Sequence, residues 1–287
     1  FKAAVEKKSG ALVSYIYQSQ QQIQAPLLPH FTRPVTDNDH RGWKMEKKLK
    51  QWFASIPKAK NVSIDQSQAD KGTIQINSRY DLINDSAVVN ITYTIHGDGV
   101  IKVDYSLNAN PKLPNLPKVG MQMGIAQADT NIIYYGRGPL ENYIDRRTGS
   151  EAGIYSSNIT NFMEPYVVPQ ENGNRTDVRW MLLADQKKNG LLVVADSLLS
   201  MSAWPYTEEN IVQAKHTNKL KNAGLVTLNI DLKQMGVGGN DSWSDVGEAL
   251  EKYRIPAGKY HYSFYLSPFK AGADAAAMAR KIKSDHP

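Results

Sequence analysis

Three stretches of this chain gather side chains that could do chemistry. Tyr134-Tyr135-Gly136-Arg137-Gly138-Pro139-Leu140-Glu141-Asn142-Tyr143-Ile144-Asp145-Arg146-Arg147 sets an acid, an amide, a phenol, a second acid and a guanidinium close together after a Gly/Pro turn. Pro165-Tyr166-Val167-Val168-Pro169-Gln170-Glu171-Asn172-Gly173-Asn174-Arg175 mixes acid, amides and guanidinium with an aromatic ring. In Met235-Gly236-Val237-Gly238-Gly239-Asn240-Asp241-Ser242-Trp243-Ser244, glycines free the backbone to bend, and the loop then delivers one large indole. Hydroxyl-rich ligands suit such surfaces, because hydroxyls take paired polar contacts while C–H faces stack on rings. The same residues equally suit a buried polar network that pins long loops.

Hydrolysis of a glycosidic bond would need two carboxyl groups, about 5–5.5 Å apart for retention or about 6.5–9.5 Å for inversion. Glu141, Asp145, Glu164, Glu171 and Asp241 are the acids in these and neighbouring loops. Spacing along loops fixes no distance in space, so no pair is nominated. Holding loops through backbone and arginine contacts is the preferred reading of these acids. The six histidines include no His-Glu-x-x-His and no His-x-His, and cysteine is absent, so thiolate metal sites, disulfides and cysteine nucleophiles are excluded and a zinc site is not expected. The glycine-rich run at Met235 follows a strand without opening a helix, which argues against a dinucleotide site. Gly120–Gly124 holds no nucleophilic serine.

Composition narrows the class. Across 287 residues, 34 Lys+Arg against 28 Asp+Glu leave a net charge of +6, too dilute to point to nucleic acid. The densest basic run, Arg41 to Lys60, reads as a solvated helix face. No stretch approaches the roughly 20 apolar residues of a membrane-spanning helix, so no membrane partner is expected. The N-terminal Phe1-Lys2-Ala3-Ala4-Val5-Glu6 lacks a leader's basic and apolar regions and reads like the interior of a longer chain. Cytoplasm and periplasm both fit a chain without cysteine.

The elements that must position these loops are mainly strands. Val89, Ile91, Tyr93 and Ile95 alternate with polar residues, and after His96-Gly97-Asp98-Gly99 so do Ile101, Val103, Tyr105 and Leu107; this is a hairpin. Similar runs are Thr73–Tyr80, Asn131–Tyr135, Leu191–Ala195, Leu225–Leu232 and Lys259–Leu266, with shorter ones at Ala11–Tyr17 and Val178–Leu183. Many short strands with turn residues between them predict an all-β antiparallel sandwich. Helical spacing is confined to His40–Ile56 and Ala271–Lys283, so one or two peripheral helices are expected, the second in a C-terminal tail over 271–287. Two helices cannot surround an eight-stranded parallel barrel. One continuous domain over 1–287 is expected.

With those residues in view, the chain resembles the C-terminal domain, or small chain, of bacterial β-galactosidases of glycoside hydrolase family 2. Gly136 to Arg146 resembles the family's Gly-x-Gly-Pro-x-Glu-x-Tyr-x-Asp-Arg, and Pro165 to Arg175 its Pro-Tyr-x-x-Pro-x-Glu-x-Gly-x-Arg. Met235 to Trp243 resembles Met-Gly-x-Gly-Gly-x-Asp-Ser-Trp, with Asn240 where an acid is common. Phe31 to Asp39 is similar to the family's opening block, and His216 stands where the family places a histidine. The blocks run in family order over almost the whole chain.

The resemblance implies a β-supersandwich like that of galactose mutarotase, with the catalytic glutamates on a TIM barrel upstream and none on this chain. It implies that the whole enzyme hydrolyses terminal β-D-galactosides, such as lactose, with retention through a covalent intermediate. Trp243 is then the substrate-binding residue, with Asp241 and Asn240 beside it. Glu141, Tyr143, Asp145, Arg146, Glu171, Arg175 and His216 are sugar-facing or structural candidates. No cofactor falls on this domain; Mg2+ and Na+ belong with the barrel, and a homo-oligomer is the expected assembly. Two alternatives remain: a stand-alone carbohydrate-binding module, and an aldose 1-epimerase using His216 and Glu171 as acid and base.

Overall fold

Alternating apolar and polar residues draw the chain into strands that pair only with antiparallel neighbours, and the computed structural model describes all residues, 1–287. The first arm comprises β1 (Lys2–Val5), β2 (Leu12–Tyr17), β3 (Gln20–Gln21) and β4 (Ile23–His30). Next come β5 (Ala59–Asp65), β6 (Thr73–Leu82), β7 (Ala87–His96) and β8 (Ile101–Ala109), a meander that includes the predicted hairpin. Then follow β9 (Lys118–Ala126), β10 (Asn131–Gly138), β11 (Glu151–Asn158) and β12 (Arg175–Ala184). The last three are β13 (Gly190–Trp204), β14 (Leu225–Gln234) and β15 (Lys259–Phe269). The order across the sheet is β1-β2-β4-β9-β14-β13-β15-β8-β7-β6-β5, with β12, β10 and β11 branching from β13.

The long β13 makes that branch possible. One edge of β13 pairs with β12, from Gly190 to Val194 and again at Leu199 and Met201, while its other edge pairs first with β15 over Gly190–Ala195 and then with β14 over Ser200–Trp204. The sheet then folds over on itself: the Tyr93 hydroxyl in β7 donates to the Leu27 carbonyl in β4 at 3.5 Å, although several strands separate them along the sheet. Tyr93 and Val103 share one core with Leu27, Met121, Met201 and Ile230 from the opposite arm. This is the sandwich expected from the strand pattern.

A second, smaller core lies on the outer face. Residues of β12, β13 and β15 that point away from the main core, among them Trp180, Leu182, Val194 and Tyr265, pack under Ala279 and Ile282 of the C-terminal helix. That helix spans Ala275–Asp285, slightly later than predicted, because the Asp274 carboxylate caps it by accepting from Ala277 N at 2.8 Å. These strands are therefore buried on both faces, and their period-two signal is correspondingly blurred.

Two expectations fail. The helix predicted over His40–Ile56 is broken into a π-turn (Asn38–Gly42) and two single turns, Met45–Lys48 and Lys50–Phe53. Lys44 adopts a left-handed φ of 58° and interrupts it. Both tryptophans of the segment are buried and tied to different places: the Trp43 indole donates to Asp39 at 3.4 Å, and the Trp52 indole donates to the Pro114 carbonyl at 3.0 Å. A straight helix would not serve both anchors. The second is the set of strands: the runs read from the sequence omit β1, β3, β4, β5, β9 and β11. Gly120 and Gly124 sit in β9 because a Cβ there would lie 1.7 Å from the Asp231 carboxylate and 2.8 Å from Ala25 Cβ, respectively.

Candidate functional site

The loop that carries Trp243 leaves β14 at Gln234, and its base is clamped from three sides. Arg33, 1% exposed, pairs with Asp39 through Nε at 3.2 Å and Nη2 at 3.1 Å. The same guanidinium donates to the Met235 carbonyl and, at 2.9 Å, to the Gly236 carbonyl. Burial works against the charge on Arg33, but Asp39 outweighs it and holds the guanidinium protonated. Asp145 supplies the second clamp. One of its carboxylate oxygens accepts from Val237 N and Gly238 N, both at 2.9 Å. Gly236 must be glycine, since a Cβ there would meet that carboxylate at 2.8 Å. The third clamp is Asn38, whose side chain donates to the Asp241 carbonyl at 2.9 Å and accepts from Ser242 Oγ at 3.2 Å.

The tip is shaped by Asp241. Its carboxylate accepts from Trp243 N at 3.1 Å, Ser244 N at 3.0 Å and Ser244 Oγ at 2.6 Å. The Ser244 hydroxyl and these amides hold the carboxyl below its usual range. Asn240 is exposed, and its backbone N–H donates to the Val246 carbonyl at 2.8 Å. The indole projects outward: Trp243 is 78% exposed, whereas Trp43, Trp52, Trp180 and Trp204 are buried. The ring is thus exposed on a loop whose base is firmly held, and residues on loops held by a rigid scaffold are disproportionately binding residues.

Of the other candidates, Tyr143, Glu171 and Arg175 are buried, whereas Arg146 and His216 are exposed. Glu141 accepts from Arg146, from the Tyr166 hydroxyl and, at 2.8 Å, from Gly173 N, which joins the first two polar stretches to each other. Arg146 is half exposed and lies over the Tyr143 ring at 5.3 Å. Tyr143 is 1% exposed and donates to Glu171 at 3.2 Å. Glu171 also accepts from Gln234 at 3.1 Å, and Gln234 accepts from Arg33 at 3.5 Å, linking this network to the loop clamp. Burial, only partly offset by Arg33, pushes the Glu171 carboxyl up to about 8. Arg175 is spent on the Tyr134 hydroxyl and on the carbonyls of Pro139, Gly173, Asn174 and Phe162, with its guanidinium 4.2 Å over the Phe162 ring. Tyr143, Glu171 and Arg175 are thus internal struts, the structural one of the two readings open for them. His216 is exposed at the start of a short turn, makes no side-chain hydrogen bond or ion pair, and has no contact with Glu171, so the acid–base pair considered for an epimerase is not assembled.

Sequence reasoning missed one buried charge cluster. Lys118, 1% exposed, donates to Asn229 at 2.8 Å and pairs with Asp231 at 3.2 Å; Gln122 bridges Asn229 at 3.0 Å and Glu208 at 3.5 Å. Thr32 donates to Glu208 at 2.8 Å, and His30 lies 3.3 Å from that carboxylate. Burial raises the carboxyls of Glu208 and Asp231, the latter to about 6. These residues come from β4 and the segment just after it, β9, β14 and the short helix Glu208–Gln213, and the pairing β4-β9-β14 brings them side by side. Polar residues at alternate positions of β9 and β14 were the one available signal.

Comparison with known proteins accounts for the shared blocks. Residues 1–266 match the family described as beta galactosidase small chain. The chain belongs to that family. A β-galactosidase of Priestia megaterium is 34% identical over 271 residues, covering 93% of this chain and 26% of the relative. One from Halalkalibacterium halodurans is 31% identical, covering 85% and 24%, and one from Pseudoalteromonas haloplanktis is 29% identical, covering 93% and 26%. The small-chain sequence thus spans about a quarter of the length of these curated relatives. Among solved structures, a galactose mutarotase related enzyme from Lactobacillus acidophilus covers 94% of this chain and 97% of its own, at 10% identity and a TM-score of 0.43. The fold class rests on the strand pairing rather than on that likeness.

Proposed function

We propose that this small-chain domain completes the sugar site of a retaining β-galactosidase, in which Trp243 packs against the galactoside while the catalytic carboxylates stand on a separate barrel domain. The observation that carries the reading is the contrast between an indole 78% exposed and a loop base held by buried Arg33 and half-buried Asp145. Packing one indole face on a sugar is worth on the order of 1–3 kcal/mol, or ~5–150-fold in affinity. It supplies grip, not chemistry. Asp241 belongs to the site as the residue that shapes the tip, and Asn240 flanks it. Mg2+ and Na+ are assigned to the barrel, and the assembly is proposed to be a homo-oligomer.

The test is Trp243→Ala in the full-length enzyme. KM for galactosides should rise within that range while the melting temperature holds; unchanged KM across several aglycones removes Trp243 from the site. A second consequence concerns the 287-residue chain alone. Glu141, Asp145, Glu171 and Asp241 all have partners within the chain, so it should not cleave a chromogenic β-galactoside. Turnover by a pure sample that Glu141→Gln or Glu171→Gln abolishes would overturn this division of labour.

A further inference from the structure

A cleft of about 580 Å³ opens on the outer face, between the C-terminal helix and strands β10 to β13. It shares no residue with the Trp243 loop. Its volume is that of a small-molecule site. The floor is apolar: Trp180 and Val194 belong to the smaller core, and Ile154 and Leu198 at the rim are 59% and 47% exposed. The helix contributes Ala276 and Ala279, side chains too small to fill the space over the strands.

Charge around the cleft is one-sided. Arg179, Arg280 and Lys283 line it against a single acid, Asp196. Lys283 pairs with Asp196 at 3.9 Å, so those two offset each other. Arg179 stacks 4.6 Å over the Tyr135 ring and donates only to the Asp177 carbonyl, at 3.0 Å. Arg280 makes no hydrogen bond or ion pair. Both guanidinium groups therefore lack an acidic partner. Trp180 adds an independent observation. Its ring is 5% exposed, and its indole N–H donates to no group of the chain but is not sealed from solvent, whereas the indoles of Trp43, Trp52 and Trp204 donate to Asp39, Pro114 and Asn172.

We infer that this cleft is a binding site for a small aromatic carboxylate or sulfonate, its ring on the Trp180–Val194 floor and its anionic head toward Arg179 and Arg280. A neutral sugar fits poorly, because its hydroxyls need interleaved acceptors and the lining offers only Asp196 and Ser197 as polar, non-cationic side chains beside the phenol of Tyr135. An inorganic anion would leave the apolar floor unused. Charge-assisted hydrogen bonds to a carboxylate are stronger than neutral ones, so affinity should depend on the head group.

The test is calorimetric titration of the 287-residue protein with 1-naphthoate and with its neutral analogue 1-naphthamide. Naphthoate should bind at least tenfold more tightly, and the double variant Arg179→Gln/Arg280→Gln should bring it down to the level of the amide. Ala276→Trp, which fills the cleft from the half-exposed side of the helix, should abolish binding of both, with far-UV circular dichroism showing the fold retained. In 15N spectra, naphthoate should shift the indole N–H resonance of Trp180, assigned by its loss in Trp180→Phe. Equal binding of acid and amide, an unaffected double variant, or no naphthoate binding at millimolar concentration overturns the proposal.

Discussion

The Glu141–Arg175 network and the Trp243 loop draw on the same kinds of residue, yet they end in opposite states. In the network every guanidinium and carboxylate finds a partner inside the chain, and the aromatic rings of Tyr134, Tyr143 and Phe162 are sealed beneath them. In the loop the Asp241 carboxylate and the Ser244 hydroxyl are likewise engaged, but the ring between them is turned out to solvent. The lesson is that polar richness marks a firmly built region, and the ring left uncovered marks where a ligand could be met. The first region positions the second, through Asp145 to the amides of Val237 and Gly238 and through Glu171 and Gln234 to Arg33.

This contrast can be broken most sharply at the clamp. Arg33→Met strips Asp39 of its counter-charge in a buried site and frees two loop carbonyls; a loss of about 3–5 kcal/mol is expected from urea unfolding. A loss below about 1 kcal/mol would mean that the loop does not depend on this clamp. Asp145→Ala leaves two amides without their acceptor and should cost about 1–3 kcal/mol. It should also speed hydrogen exchange at Gly238 and, in the full-length enzyme, raise KM toward the value for Trp243→Ala. Loss of stability with KM unchanged would separate the network from the loop.

Glu171 sharpens the comparison through pH. Burial raises its carboxyl to about 8 in the folded chain, against an ordinary value of 4.5 when unfolded. Between these values the folded state keeps a proton that the unfolded state has lost, so stability falls as pH rises from about 4.5 to about 8 and then levels off. Removing the group with Glu171→Gln should flatten that decline by up to about 1.4 kcal/mol per pH unit. Asp231, raised to about 6, and Asp129, raised by burial to about 7, act in the same direction and remain in the variant. Parallel profiles for the two proteins would show Glu171 ionised in the fold. The smallest effect on stability belongs to Trp243→Ala, within about 0.5 kcal/mol, as for exposed positions generally.

Strands with one buried face were legible from alternation alone, as at β7 and β8. Strands buried on both faces, such as β12 and β13, were read short, and β1, β4, β5, β9 and β11 went unread; the β9 glycines answer to Asp231 and Ala25 across the sheet. At the site, the blocks and Trp243 were visible because motifs are local. The clamping role of Arg33 was not, since its partners Met235 and Gly236 lie about two hundred residues away.

By itself, the sequence determined the all-β class, through side-chain alternation, and the family, through four ordered blocks. It also placed a tryptophan after a glycine-rich turn. Only the tertiary structure decided which of the polar side chains are struts and which ring is free. That choice depends on contacts between residues remote in the chain, where burial makes an unpaired polar group costly and so assigns each one a partner.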